Sequence, residues 1–198
     1  MNRNTLPAVK LFSYSMIVLA LFLFARPADA QTVSRSKEAK KVLIVFFSHS
    51  GNTRRMAEYI QKATGGDLFE VRPVQAYPDE YRAVVDQAKK EVSQGFHPAL
   101  KDRPEHIDRY DTVFVGSPNW WGTIAPPVAT LLSSYDFSGK VLVPFITHEG
   151  SRFGHSLDTI RGLCPDARLL PGLAVRGGAV KDSAAEVEKW ARETVSGK

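Results

Sequence analysis

Between Phe47 and Arg54 the chain places six small or polar residues, Ser48-His49-Ser50-Gly51-Asn52-Thr53, with no lysine among them. They follow the apolar run VLIVFF (Val42 to Phe47) and precede a helical pattern. A helix start leaves backbone N–H groups without intrahelical partners and carries the positive end of the helix dipole, so it favours an anion. The hydroxyls of Ser48, Ser50 and Thr53 and the Asn52 amide add donors, and Gly51 lets the backbone come close. Helix capping also uses Ser, Asn and Thr, but four polar residues around a glycine are more than one cap requires. Neither G-x-x-x-x-G-K-[ST] nor G-x-G-x-x-G occurs here, so this is neither the ATP-type phosphate loop nor the dinucleotide fingerprint. A loop with no lysine and no metal ligand suits one terminal phosphate that is retained. It suits poorly a phosphoryl group in transfer, whose transition state needs charge stabilisation.

Two more loops carry similar chemistry. Ser117-Pro118-Asn119-Trp120-Trp121-Gly122-Thr123 sets two adjacent tryptophans in a turn. Core burial is one reading of them, yet core tryptophans are seldom paired inside a turn. Their faces can stack on a planar ring, and a buried aromatic pair gains about 0.5–1.5 kcal/mol beyond area burial. Thr147-His148-Glu149-Gly150-Ser151-Arg152-Phe153-Gly154-His155 supplies two acid–base candidates, His148 and Glu149; a solvated turn is the plainer reading of both. The other histidines, His97, His106 and His155, show no metal-ligand spacing with cysteine or carboxylates, and no metal is expected.

The elements that must position these loops are legible from periodicity. Val42 to Phe47 reads as a strand covered on both faces, and Met56, Ile60 and Ala63 mark a helix closed by Gly65-Gly66. Leu68 to Pro73 is a second strand. Tyr81, Val84, Val85, Ala88 and Val92 give the apolar face of a helix begun near Pro78-Asp79. Thr112 to Pro118 is a third strand. Pro126 and Pro127 open a helix whose face is Val128, Leu131, Leu132 and Tyr135. Lys140 to Thr147 is a fourth strand, followed by a helix with Phe153, Leu157, Ile160 and Cys164 on one side. The fifth strand lies in ARLLPGLAV, interrupted by Pro171. The last helix opens on a capping box, Ser183-Ala-Ala-Glu186, and buries Val187, Trp190 and Ala191. Five strands alternating with five helices predict an α/β fold, a parallel sheet with helices on both faces. Ligands of such sheets sit at the carboxyl ends of the strands, near the point where strand order reverses. All three polar loops follow strands.

Composition adds limits. The chain has 198 residues, 43% hydrophobic and 24% charged, as expected of one globular domain. Residues 1–30 read as an export signal: Arg3 and Lys10, the apolar stretch Leu11 to Ala25, then Pro27 and a small-x-small site at Ala28-Asp29-Ala30. That apolar stretch is shorter than the roughly 20 residues of a membrane-spanning helix. Cleavage after Ala30 leaves a mature chain with no stable membrane span and an exported, periplasmic location; a retained signal would anchor it. Residues 31–40 read as a flexible lead-in and residues 41–198 as the domain. Loss of Arg3, Lys10, Arg26 and Asp29 removes a net +2 from the chain's +5 and leaves about +3. With no basic-aromatic stripe, nucleic acid is not an expected partner. The lone cysteine, Cys164, cannot form an internal disulfide and reads as a buried thiol.

SHSGNT after one strand and GSPNWWGTIAPPV after a later one resemble the flavodoxin family, most of all its single-domain bacterial members, over residues 41–195. The resemblance implies a flavodoxin-like three-layer sandwich with a five-stranded parallel sheet in the order 2-1-3-4-5, and FMN as cofactor. By match, Ser48, Ser50, Gly51, Asn52 and Thr53 inherit the phosphate site, while His49 stands at a variable position. Ser117, Pro118, Asn119, Trp120, Trp121 and Gly122 fall to the flavin ring, and the Gly122 peptide is implied to present its C=O to N5–H of the reduced flavin. The third loop departs from electron-carrier members, since no aromatic shelf is present unless Phe153 provides one. Thr147 and the backbone around Glu149, Gly150 and Ser151 instead face the flavin's pyrimidine edge, with His148 and Glu149 as speculative catalytic groups there.

The mature charge of about +3 also departs from the acidic carriers, so their attraction to basic partners does not carry over. Without an Arg-Arg pair in MNRNTLPAVK the twin-arginine route is not expected, so either FMN would be acquired after export or export does not occur. The function implied is an FMN-binding redox protein, passing electrons or reducing a small acceptor such as a quinone, with an unidentified donor and acceptor. As an enzyme it would be an NAD(P)H or quinone oxidoreductase. The alternative is an exported, non-redox binding module that holds a phosphate-bearing ligand or partner.

Overall fold

The structure is a computed structural model that describes residues 41–197; the expected signal (1–30) and lead-in (31–40) lie outside the described residues. β1 (Val42–Phe46) is buried along its whole length. Alternation sends Leu43 and Val45, with Phe47 beyond them, into one core and Val42, Ile44 and Phe46 into the other. A continuous apolar run does this when both sheet faces are covered.

β2 (Asp67–Glu70) and β3 (Thr112–Trp120) flank β1, both parallel to it. A short β4 (Thr123–Ile124) folds back antiparallel onto Asn119 and Trp120, which carries β3 past the expected end at Pro118. β5 (Val141–His148) runs parallel to β3. The fifth lane is split into β6 (Arg168–Leu169) and β7 (Leu173–Arg176), each parallel to β5. Pro171 lacks the N–H that a ladder needs, and the break falls there. The lane order is therefore second, first, third, fourth, fifth, as expected; split lane and hairpin raise the strand count to seven.

Helices cover both faces. α1 (Asn52–Thr64) and α5 (Ala184–Ser196) bury Met56, Ala57, Ile60, Val187 and Ala191 against one core. α2 (Tyr81–Ser93), α3 (Pro126–Ser133) and α4 (Ser156–Leu163) bury Val84, Leu131, Leu132 and Ile160 against the other. Gly116 allows the sheet to close near the site: a Cβ there would run into the Phe145 ring and stand 2.7 Å from Phe46 Cβ. Among the described residues no helix is long and apolar enough to cross a membrane.

Three local expectations are corrected. α2 is rotated from the predicted face, with Tyr81 76% exposed and Glu91 buried in its place. The reason is polar satisfaction, since the Glu91 carboxylate accepts from the Tyr77 hydroxyl and from Gln87. α4 starts at Ser156 rather than Phe153, after a turn through Gly154 with φ +51. The capping box of α5 does not form: Ser183 makes no side-chain cap bond and donates instead to the Val180 carbonyl at 2.9 Å. Cys164 is buried as expected, and burial pushes its thiol up to about 11.

Candidate functional site

β1 lies between β2 and β3: the chain steps to one side of it for β2 and crosses to the other side for β3, so strand order reverses there. The loop after it is the first wall of the site. Gly51 is the N-cap of α1 with φ +88, and no side chain caps the helix start. The polar residues here are thus not doing the work of a helix cap. The Ser48 hydroxyl oxygen is buried and has no hydrogen-bond partner. Thr53, buried, shares a 2.8 Å hydroxyl–hydroxyl bond with Thr147 at the end of β5, which leaves one of the two hydroxyl protons free. His49, at the position without an inherited role, bonds through Nε2 to the Pro78 carbonyl at 2.9 Å and meets Trp120 edge-on. It ties the loop to the segment leading into α2.

The second loop divides its residues between bracing and cleft. Ser117 is fully buried; its hydroxyl donates to the Pro118 carbonyl and accepts from the Ala125 N–H, both at 2.8 Å. Asn119 accepts from the Gly122 N–H at 3.0 Å and donates to the Arg152 carbonyl at 2.9 Å, joining this loop to the next. Trp120 stands in an edge-to-face aromatic group with Tyr77 (4.8 Å) and Phe47 (5.3 Å). Trp121 is half exposed in a left-handed conformation, φ +50. Its Nε1–H donates to the Val85 carbonyl of α2, and Lys89 Nζ lies 5.0 Å over the ring. The Gly122 carbonyl accepts from the His155 N–H at 2.6 Å, so in this conformation it is turned toward the third loop.

That third loop ends β5. His148 Nδ1 accepts from the Gly150 N–H at 2.9 Å, which takes up one of the backbone donors expected to face a ligand. Burial and the nearby Arg152 and Arg176 hold His148 below the usual imidazole range, against the pull of Glu149. Glu149 pairs with Arg176 at 3.8 Å, both exposed. Phe153 is not a shelf: it packs on the core of the α3–α4 face and against Gly172.

These pieces surround a cleft of about 700 Å³ at the carboxyl ends of β1, β3 and β5. His49, Ser50 and Asn52 of the first loop line it, as do Pro118 to Gly122 and Thr147 to Ser151. Sequence reading missed two parts of the lining. One is α2, which contributes Tyr81, Val84, Val85 and Ala88 as an apolar wall; the apolar stripe was legible, but periodicity does not say that it also leans over a cleft. The other is Gly177, just after β7. A Cβ there would collide with Glu149 Oε1 and stand 2.9 Å from Asn52 Nδ2. The Gly177-Gly178 pair at a strand end was the available signal. Among the described residues no group of three or more His, Cys, Asp or Glu side chains could hold a metal ion. The arrangement offers a helix start with open donors at one end and a flat apolar slot at the other.

The sequence model of a family described as Flavodoxin matches residues 41–194. Among solved structures, a protein described as a flavoprotein from Bacteroides eggerthii is 30% identical, with TM-score 0.63, over 74% of this chain and 97% of its own. Another so described, from Bacteroides uniformis, is 26% identical, with TM-score 0.68, over 77% of this chain and 98% of its own. A flavoprotein in complex with FMN from Lactobacillus acidophilus is 27% identical, with TM-score 0.58, over 74% of this chain and 99% of its own. Among curated protein sequences none matches.

Proposed function

Because the chain belongs to the flavodoxin family, we propose that it binds FMN in the cleft and works as a redox protein, passing electrons or reducing a small acceptor such as a quinone. The observation that carries this reading is that Ser50 and Asn52, at a helix start that no side chain caps, line one cleft with the Trp120-Trp121-Gly122 turn, while the buried Ser48 hydroxyl beside them, on a neighbouring hollow, has no partner. A buried polar atom left unbonded is costly, about 1–3 kcal/mol, and an oxyanion at the start of α1 would satisfy it together with the open N–H groups. The residues present fit the cofactor: Ser48, Ser50, Asn52 and the α1 start for the phosphate, the Trp120-Trp121-Gly122 turn and the α2 wall for the ring. When bound, the flavin supplies one- and two-electron chemistry.

The chain's own residues hold and shield it. Asn119 and the His155–Gly122 bond fix the second loop against the third. The Thr53–Thr147 bond fixes the third against the first, so the three walls keep their spacing. The apolar side chains Val84, Val85 and Ala88 keep water from one side. Flavin absorption bands in the purified protein, at one FMN per chain, test the reading; a colourless protein that takes up no FMN overturns it. Rapid mixing with NAD(P)H then separates enzyme from carrier, since direct fast reduction belongs to the enzyme.

Export belongs to the same proposal. Its support is the apolar stretch and the Ala28-Asp29-Ala30 site, and N-terminal sequencing of the native protein should begin at Gln31. A chain that starts at Met1 or Asn2 contradicts cleavage.

A further inference from the structure

His148 closes β5 with its ring on the cleft. Its Nδ1 accepts a hydrogen bond from the Gly150 N–H at 2.9 Å. A backbone N–H only donates, so Nδ1 must present its lone pair, and the neutral ring carries its proton on Nε2. Among the described residues Nε2 has no partner within the protein, and it is not among the buried atoms left unbonded, which are Ser48 Oγ and Ser156 Oγ. It is therefore accessible to solvent, on a side chain that lines the cleft. The charged groups around it are Arg152 and Arg176, which oppose a cationic ring as burial does, and Glu149, which favours one. Glu149 is itself engaged by Arg176.

This arrangement is unsuited to proton transfer. As a base, Nδ1 is blocked by Gly150 and Nε2 is already protonated. As an acid, a neutral imidazole N–H holds its proton too tightly at neutral pH. What the ring can do is donate one hydrogen bond in a fixed direction. Around it the cleft is apolar on the α2 side, at Val84, Val85 and Ala88, with Tyr81 and Trp121 at the rim. A planar ligand bearing a carbonyl oxygen matches both features, because a ligand without an acceptor that lies over Nε2–H displaces water from it and returns no hydrogen bond.

We propose that His148 is a tautomer-locked hydrogen-bond donor, held by Gly150, that presents Nε2–H to the carbonyl oxygen of the electron acceptor and so selects quinone-like acceptors. This rests on the cleft holding FMN. The flavin ring is a second source of carbonyl oxygens, and the experiment separates the two.

The full chain labelled with ¹⁵N-histidine, with and without FMN, should show His148 at pH 7 with Nδ1 unprotonated and Nε2 protonated. An Nδ1-protonated or cationic ring at pH 7 overturns the proposal, and this readout stands whether or not FMN binds. On the FMN-loaded protein, menadione should bind about tenfold tighter than its carbonyl-free analogue 2-methylnaphthalene. His148→Phe should abolish that preference, while His148→Gln, which keeps an amide donor, should retain most of it; both are measured on FMN-saturated protein, so the preference is read apart from FMN affinity. A preference that survives His148→Phe overturns the proposal. So does a tenfold loss of FMN affinity with the menadione preference intact, which would give the bond to the flavin instead. A wild-type chain that takes up no FMN in titration fails the underlying reading, a separate result from either.

Discussion

A serine hydroxyl buried without a partner costs about 1–3 kcal/mol, and Ser48 keeps one at the head of α1. Such an atom earns its place only through what it binds. Ser48→Ala should therefore leave the FMN-free protein as stable as wild type or more so, while weakening FMN about tenfold; thermal unfolding and FMN titration measure the two. Loss of stability without loss of affinity would make Ser48 structural. Gly177 makes the complementary case. In Gly177→Ala the new methyl collides with Glu149 and crowds Asn52, so FMN affinity should fall about tenfold with little change in fold, read by titration and circular dichroism. His148 gives a pH effect whose sign follows from its environment. Its titration lies below the ordinary 6.5, so the unfolded chain takes up this proton first as pH falls through that value. Stability is full above pH 6.5 and declines below it until the native group titrates too. Urea midpoints of His148→Gln should thus fall less than wild type between pH 6.5 and the native titration point; parallel slopes contradict the assignment.

At the scale of elements, the three loops act as one because strands deliver them together and hydrogen bonds weld them. The Thr53–Thr147 bond joins α1 to β5 across buried hydroxyls. Thr53→Val or Thr147→Val alone should destabilise the protein by about 1–2 kcal/mol, since each strands its partner. The double variant should cost less than the sum, with a coupling of about 1 kcal/mol; additivity would deny the contact. Periodicity exposed the elements but not every face. β1 was readable because an unbroken apolar run has one meaning in a doubly covered sheet, and Pro171 announced the break in the fifth lane. α2 was misread because Tyr81 and Val85 fit the helical stripe as well as Val84 and Ala88 do. The burial of Glu91 depends on Tyr77, four residues before the helix, a tertiary fact. The α5 capping box was likewise overruled locally, since the Ser183 hydroxyl is turned to donate to the Val180 carbonyl and accepts no helix N–H.

Across the whole molecule, the lane order brings the carboxyl ends of β1, β3 and β5 side by side, and the polar loops of the sequence are the ones found there. Their position was legible because function at a sheet switch point needs small polar residues where a strand would otherwise turn into a plain cap. The roles within each loop were less legible. Ser117 and Asn119 read as ligand groups by type, yet their hydrogen bonds are directed into the loops. The two tryptophans, alike in sequence, separate into a packed Trp120 and a half-exposed Trp121 bound to α2. What unifies the proposed site is an anion seat without lysine, built from a helix start and hydroxyls. The measurement that tests this most directly is a paired titration of the FMN-free protein with FMN and with riboflavin, which lacks the phosphate. The account predicts one FMN per chain and riboflavin at least about a hundredfold weaker, a difference of about 2.7 kcal/mol. Equal affinity for the two, or no binding of FMN, would contradict it.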